Sequence, residues 1–208
     1  DAFFVAFRLP NTFRRLFGEG AFSAGFVPLF SQRLHGEGGQ EAARQFSEEV
    51  LAVFLPTLVL FTFVFEIIMP GFVALISGYA GAKLELATWL TRITFPYLVL
   101  ISLVSLFSGI LNSLAKFSAA AFAPALLNLA MLSALIFVPA GGRITATALA
   151  VAVTAGGVLQ IGLLIAACAL SIWVPSRKTG PSTYFSVPSP MATWSKAQNR
   201  PSMAPLSP

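Results

Sequence analysis

The chain holds one cysteine, one histidine and few charges, so it has little material for chemistry. Cys168 alone allows neither a disulfide within one chain nor a cysteine-based metal site. His35 alone removes the paired-histidine zinc sites and the usual serine–histidine arrangements. Metal binding, a cofactor and nucleophilic catalysis are therefore not expected, and the chain does not read as an enzyme. Charged residues make up 10% of the sequence and hydrophobic ones 56%. A soluble domain carries about 25% charge, so a globule of 208 residues could not cover itself with so little. Lipid must solvate much of the surface. The 13 Lys and Arg exceed the 8 Asp and Glu. Four of the basic residues (Arg177, Lys178, Lys196, Arg200) lie in a polar tail, and most others sit in short loops. No basic cluster is interleaved with aromatics, which argues against nucleic acid as a partner. Asp1 opens directly into an apolar run, with no charged-then-apolar leader, and the chain is read as a piece of a longer protein.

Spanning a hydrocarbon core of about 30 Å takes about 20 mostly apolar residues in a helix. The apolar runs are too long and unbroken for barrel strands, which alternate over about 10 residues. An all-α polytopic membrane protein with about five transmembrane helices is expected. The expected spans are 11–34, 50–76, 86–111, 119–138 and 144–173, within a membrane domain at 1–173. Pro10 suits the start of the first helix and Pro28 a kink at its far end. Prolines 56 and 70 fall inside the second span, where neighbouring helices can re-satisfy the freed carbonyls. The polar link 35–49 is expected to form a short amphipathic turn. Loop charges place 35–49, 112–118 and the start of the tail on the cytoplasmic side. Residues 174–208 are rich in Pro and Ser without an apolar period, a composition expected to be disordered.

Charge inside an apolar helix is the main functional signal. The segment NTFRRLFGEGAFSAGF places Arg14, Arg15 and Glu19 among apolar residues. Arg15 and Glu19 are four apart and can pair on one helical face. Arg14 lies on the stripe of Gly18, Ala21 and Gly25, which offers room beside a cation or a close helix contact. A centrally placed Arg costs about 2.5–3.5 kcal/mol on translocon scales. An anion-binding cavity, with guanidinium gripping phosphate, justifies two of them. Snorkelling to an interface and a purely structural ion pair are the other two readings. Asp1 is either a partner for a basic residue or a loop charge. Glu66 reads as interfacial, Arg92 and Lys116 as interface anchors, and His35 as solvated. Asn112, Asn128 and Gln160 read as interhelical hydrogen-bonding groups.

These residues carry a resemblance. The run DAFFVAFRLPNTFRRLFGEGAFSAGFVP (Asp1–Pro28) resembles the N-terminal signature of the MurJ (MviN) family, the lipid II flippases of bacterial cell-wall synthesis. The likeness continues in RITFPYLVLISLVSLFSGILN (Arg92–Asn112), AFAPALLN (Ala121–Asn128) and GGVLQ (Gly156–Gln160), covering most of residues 1–165. It implies the N-terminal lobe of a MATE-like fold, in which fourteen helices form two lobes around a central cavity. It further implies alternating access, which carries an undecaprenyl-pyrophosphate-linked peptidoglycan precursor across the bacterial inner membrane. The partners it implies are lipid II and membrane lipids. The substrate-binding cavity residues map by this resemblance onto Asp1, Arg14, Arg15 and Glu19.

Two departures accompany the likeness. The family's first helix and everything after about its sixth are missing. The tail after about Ala169 does not look like the family, and a frameshift or misjoined reading frame would account for it. Two further readings stand beside the flippase: a related polysaccharide or multidrug exporter, and a non-functional truncated membrane fragment.

Overall fold

The computed structural model describes residues 2–14, 21–139 and 141–173. They form seven α-helices: α1 (Ala2–Arg14), α2 (Ala21–His35), α3 (Gly39–Ser77), α4 (Gly81–Thr94), α5 (Tyr97–Ser113), α6 (Phe117–Phe137) and α7 (Gly142–Trp173). No strand occurs among the described residues. Among the described residues, four stretches are long and apolar enough to cross a membrane: Gly39–Ser77, Gly81–Ser113, Phe117–Phe137 and Gly142–Ser171. The second comprises α4 and α5 together, bent where Pro96 interrupts the ladder. At that bend Phe95 N–H donates to Thr91 O, and Val99 N–H to Pro96 O.

Helix α5 lies at the centre, against α1, α2, α3, α6 and α7. The apolar core has three parts. Met69, Val73, Leu90 and Phe95 join α3 to α4. Tyr97, Val104, Val153 and Leu164 join α5 to α7. Phe26, Phe30, Ala43 and Leu106 join α2, α3 and α5. The outer faces are equally apolar, with Leu75 and Phe137 each 82% exposed. A contiguous coat of such side chains is a lipid-facing surface. The chain is a multi-pass membrane protein.

Three expectations drawn from the sequence are corrected. Pro10 does not start a helix; it is buried inside α1. The polar link 35–49 is not a turn, because α3 already begins at Gly39. Ala43 is buried against Phe26 and Phe30, and Arg44 pairs with Glu48 one turn on at 2.9 Å, so the stretch is an amphipathic extension. At 39 residues α3 is about 58 Å long at 1.5 Å per residue, which exceeds the hydrocarbon core. It stops at Gly78, whose φ of 64° lets its N–H return to Ala74 O. Asn112 and Asn128, expected to bond between helices, are exposed and their side chains make no hydrogen bond among the described residues. Gln160 does bond between helices: its Nε2 donates to Ala123 O on α6 at 2.8 Å.

Proline governs the packing. A proline has no N–H, so it leaves the carbonyl four residues earlier without its helical donor. Pro10 in α1 frees Ala6 O, and Thr94 Oγ1 of α4 lies 3.1 Å from it. Pro70 in α3 frees Glu66 O, and Arg92 Nη2 of α4 donates to it at 3.2 Å. Thr154 of α7 donates to Ile93 O at 2.7 Å, at the α4–α5 junction, where last-turn carbonyls lack regular donors. The three consecutive residues Arg92, Ile93 and Thr94 thus tie α4 to α3, α7 and α1. Arg92 is exposed, so Arg92→Met should cost about 0.5–1.5 kcal/mol, the net range for a typical hydrogen bond. Denaturant titration of the detergent-solubilised chain measures it, and Arg92→Lys should restore part of the loss.

Helix α7 passes closely between two neighbours. A Cβ on Gly156 would stand 2.9 Å from Leu127 Cδ1 and 3.2 Å from Leu127 Cα. One on Gly157 would stand 2.7 Å from Tyr97 Cδ2 and 3.1 Å from Leu100 Cβ. Gly162, on the same helix, meets nothing within 4 Å. Gly157→Ala should therefore destabilise by about 1–3 kcal/mol through overpacking. Gly162→Ala should be neutral or slightly stabilising, because alanine is the better helix former. Thermal melts of both variants test the contrast; equal melting points would refute the packing.

Candidate functional site

The cations expected to hold an anion lie at the junction of α1 and α2. Arg14 is the last residue of α1. Its side chain, together with Asp1, Arg15 and Glu19, lies outside the described residues, so the structure does not show whether these four meet. What it does describe is the platform before them. Ala6 and Pro10 are buried, with Ala6 in the core formed by α3 and α4. Phe3 and Phe7 stack at 6.0 Å and reach the α5–α7 core. Thr12 Oγ1 folds back onto Arg8 O at 2.9 Å. The helix that ends at Arg14 is thus fixed along one side against α4, α5 and α7.

A second pair of charges stands within the apolar helices. Reading Glu66 as interfacial and Arg92 as an anchor missed their pairing. Glu66 stands eleven residues before Ser77, and Arg92 eleven after Gly81. In an antiparallel helical pair joined by a short loop, equal spacing means equal depth, a signal already present in the sequence. Arg92 Nε lies 3.9 Å from Glu66 Oε2, while Glu66 Oε1 is buried without a hydrogen-bond partner. The shorter contact of the guanidinium goes to the carbonyl freed by Pro70. This geometry makes Arg92 a clamp on α3 at Pro70, with the carboxylate as its counter-charge.

The N-terminal end of α3 carries the remaining polar groups. Arg44 and Glu48 pair in the open, and the Arg33 guanidinium lies 3.9 Å above the Phe46 ring. His35 is exposed, its Nδ1 2.8 Å from Ser31 O. Beneath them is a cavity of about 460 Å³ with an apolar floor of Phe30, Leu51, Leu106 and Ile110 and a rim that includes Arg44 and Glu48. A second cavity, of about 380 Å³, lies between α2, α5, α6 and α7 and is lined in part by Ser105, Ser108, Asn112 and Gln160. Among the described residues, no group of three or more His, Cys, Asp or Glu is placed to hold a metal ion.

Comparison with known proteins agrees with this architecture. The family model described as "Lipid II flippase MurJ" matches residues 1–174, up to the start of the Pro/Ser-rich stretch. A probable lipid II flippase MurJ of Rhizobium tropici is 47% identical over 131 residues, covering 61% of this chain and 24% of the relative. The lipid II flippase MurJ of Burkholderia cenocepacia is 43% identical over 131 residues, covering 61% of this chain and 25% of the relative. The chain thus spans about a quarter of the length of these curated relatives. A solved structure, "Lipid II flippase MurJ, inward closed conformation", superposes with a TM-score of 0.64 at 26% identity, over 80% of this chain and 34% of that one. A family match across the whole described helical region, joined to the same arrangement of helices, places this chain in the lipid II flippase MurJ family.

Proposed function

We propose that this chain forms part of the N-terminal lobe of a flippase that moves lipid II across the bacterial inner membrane. The supporting observation is the family match over residues 1–174, which takes in the charged segment at the end of α1. Arg14 and Arg15 hold the pyrophosphate of the cargo, where paired guanidinium donors outperform a point charge. Asp1 and Glu19 offset the two cations and bias the site between inward- and outward-open states. Transport then follows from differential binding to the two states. No covalent bond changes, so the protein acts as a transporter and not as an enzyme.

The described helices suit this role. Alternating access requires a rigid lobe that moves as a unit. The ties from α4 to α1, α3 and α7 supply such rigidity beside Arg14. Coverage of only a quarter of the relatives favours a second reading for the chain taken alone: a membrane fragment without transport. Both readings are tested in reconstituted vesicles that follow the arrival of labelled lipid II in the outer leaflet. The chain alone should be inert and the full-length flippase containing it active. Arg14→Ala in the full-length protein should reduce transport roughly 10- to 100-fold, the equivalent of one charge-assisted hydrogen bond of about 1.5–3 kcal/mol. Arg14→Lys should recover part of that loss. Unchanged transport by Arg14→Ala would refute the cation role.

A further inference from the structure

The cavity between α2, α5, α6 and α7 is unlike the charged segment in one decisive respect. Among the described residues, no charged side chain lines its volume of about 380 Å³. That volume falls within the range of small-molecule sites, about 300–1,000 Å³. Its wall on α5 is a stripe of Ser105, Ser108 and Asn112, spaced three and four residues apart and so on one helical face. Serine in an apolar helix usually folds its hydroxyl back onto the preceding turn. Ser47, Ser77, Ser113 and Ser171 do so here, at 2.6–2.9 Å. Ser105 and Ser108 do not, and neither their side chains nor that of Asn112 make a hydrogen bond among the described residues.

The opposite wall supplies a fourth uncommitted group. Gln160 of α7 is only 2% exposed and lines the same cavity. Its Nε2 is spent on Ala123 O, while its Oε1 is buried and has no partner. A buried carboxamide oxygen without a donor costs about 1–3 kcal/mol, and a small rotation of the side chain toward the cavity would let a ligand donor recover that. Close packing beside the cavity keeps these groups in place: a Cβ on Gly109 would stand 3.2 Å from Val27 Cγ2, so α2 and α5 touch there. Three segments that carry the family resemblance, around Asn112, Ala123 and Gln160, converge on this space.

We propose that this cavity is a binding site for an uncharged headgroup bearing hydroxyl and amide groups, in effect a saccharide subsite. Two carboxamides and two hydroxyls offer both donors and acceptors, matching such a ligand. Phosphate is a poor occupant, since among the described residues no cation lines the cavity to offset its desolvation. If the cargo is a lipid-linked glycopeptide, the saccharide binds here and the pyrophosphate at Arg14; only that link to the cargo rests on the reading above.

The test uses the purified chain in nanodiscs with two probes of equal tail length, decyl N-acetylglucosaminide and decyl phosphate. Native mass spectrometry should show saturable binding of the uncharged glycoside. The triple variant Ser105→Ala, Ser108→Ala, Asn112→Ala should weaken it at least tenfold. Gln160→Met should weaken it about threefold or more. Ser108→Phe, which fills the cavity while keeping Asn112 and Gln160, should abolish it. Circular dichroism melts identify any variant that has lost its fold, and Ser108→Phe and the single Asn112→Ala then decide. Glu85→Gln, exposed on α4 and away from this cavity, should leave glycoside binding unchanged. Transport by the Arg14→Ala flippase is a separate measurement, so failure of the cation reading is separable from failure of this one. Absence of saturable glycoside binding overturns the proposal. So does equal binding by the folded triple variant, or competition by decyl phosphate at equal concentration.

Discussion

A bilayer supplies no water to a carbonyl that has lost its helical donor, and this chain places prolines where that loss occurs within the helices. At two of the five prolines inside the described helices, Pro10 and Pro70, the freed carbonyl has a donor from another element within reach. Glu66 O receives its own from Arg92 at the end of α4, and Ala6 O has the Thr94 hydroxyl at 3.1 Å, a single proton that it shares with Leu90 O and Thr91 O at the same distance. A third backbone oxygen at that end, Ile93 O, receives its own from α7. Prolines that would otherwise weaken α1 and α3 thereby become the reason these helices are joined to α4. The apolar contacts around Met69, Leu90 and Phe95 add area to the junction, but hydrophobic area is non-directional and cannot fix which turn meets which. The polar contacts can.

The consequence for function is one of placement. The charged segment follows directly on α1, so its position depends on the hold that α4 has on that helix. The cavity lined by Ser105, Ser108, Asn112 and Gln160 also takes in Tyr97, the first residue of α5 after this junction, and close packing of α7 at Gly156 and Gly157 shapes its surroundings. In the proposed reading, the charged segment after α1 and the polar cavity together suit an amphiphilic cargo with two chemically different parts.

Most of the architecture was legible because its signals are large. Runs of about twenty apolar residues, interrupted by SGYAGAKLE and PAGGR, fix the later helices to within a few residues. The misplaced elements arose where two local rules compete. Pro10 satisfied the rule for a helix start, yet the donor from Thr94 lets it stand inside α1. The polar stretch from Gly39 to Glu49 resembled a loop in hydropathy, while its alanines and its Arg44–Glu48 pair favoured helix. Asn112 and Asn128 have the chemistry of interhelical glue, but side-chain direction decides whether a partner is within reach, and composition does not encode direction. The pairing of Glu66 with Arg92 was within reach of the sequence through their equal distances from the loop that joins α3 and α4. For Asp1, Arg15 and Glu19 the sequence and the family remain the only guides.

The central claim is that side chains on α4 replace the donors that prolines remove. A double-mutant cycle on Pro10 and Thr94 tests it most directly, with unfolding free energies measured in the same detergent. Thr94→Val removes the hydroxyl with little change of shape, and Pro10→Ala restores an N–H to Ala6 O. The account predicts that Thr94→Val costs about 1 kcal/mol or more in the native background and markedly less once Pro10 is alanine. Strictly additive effects would contradict it.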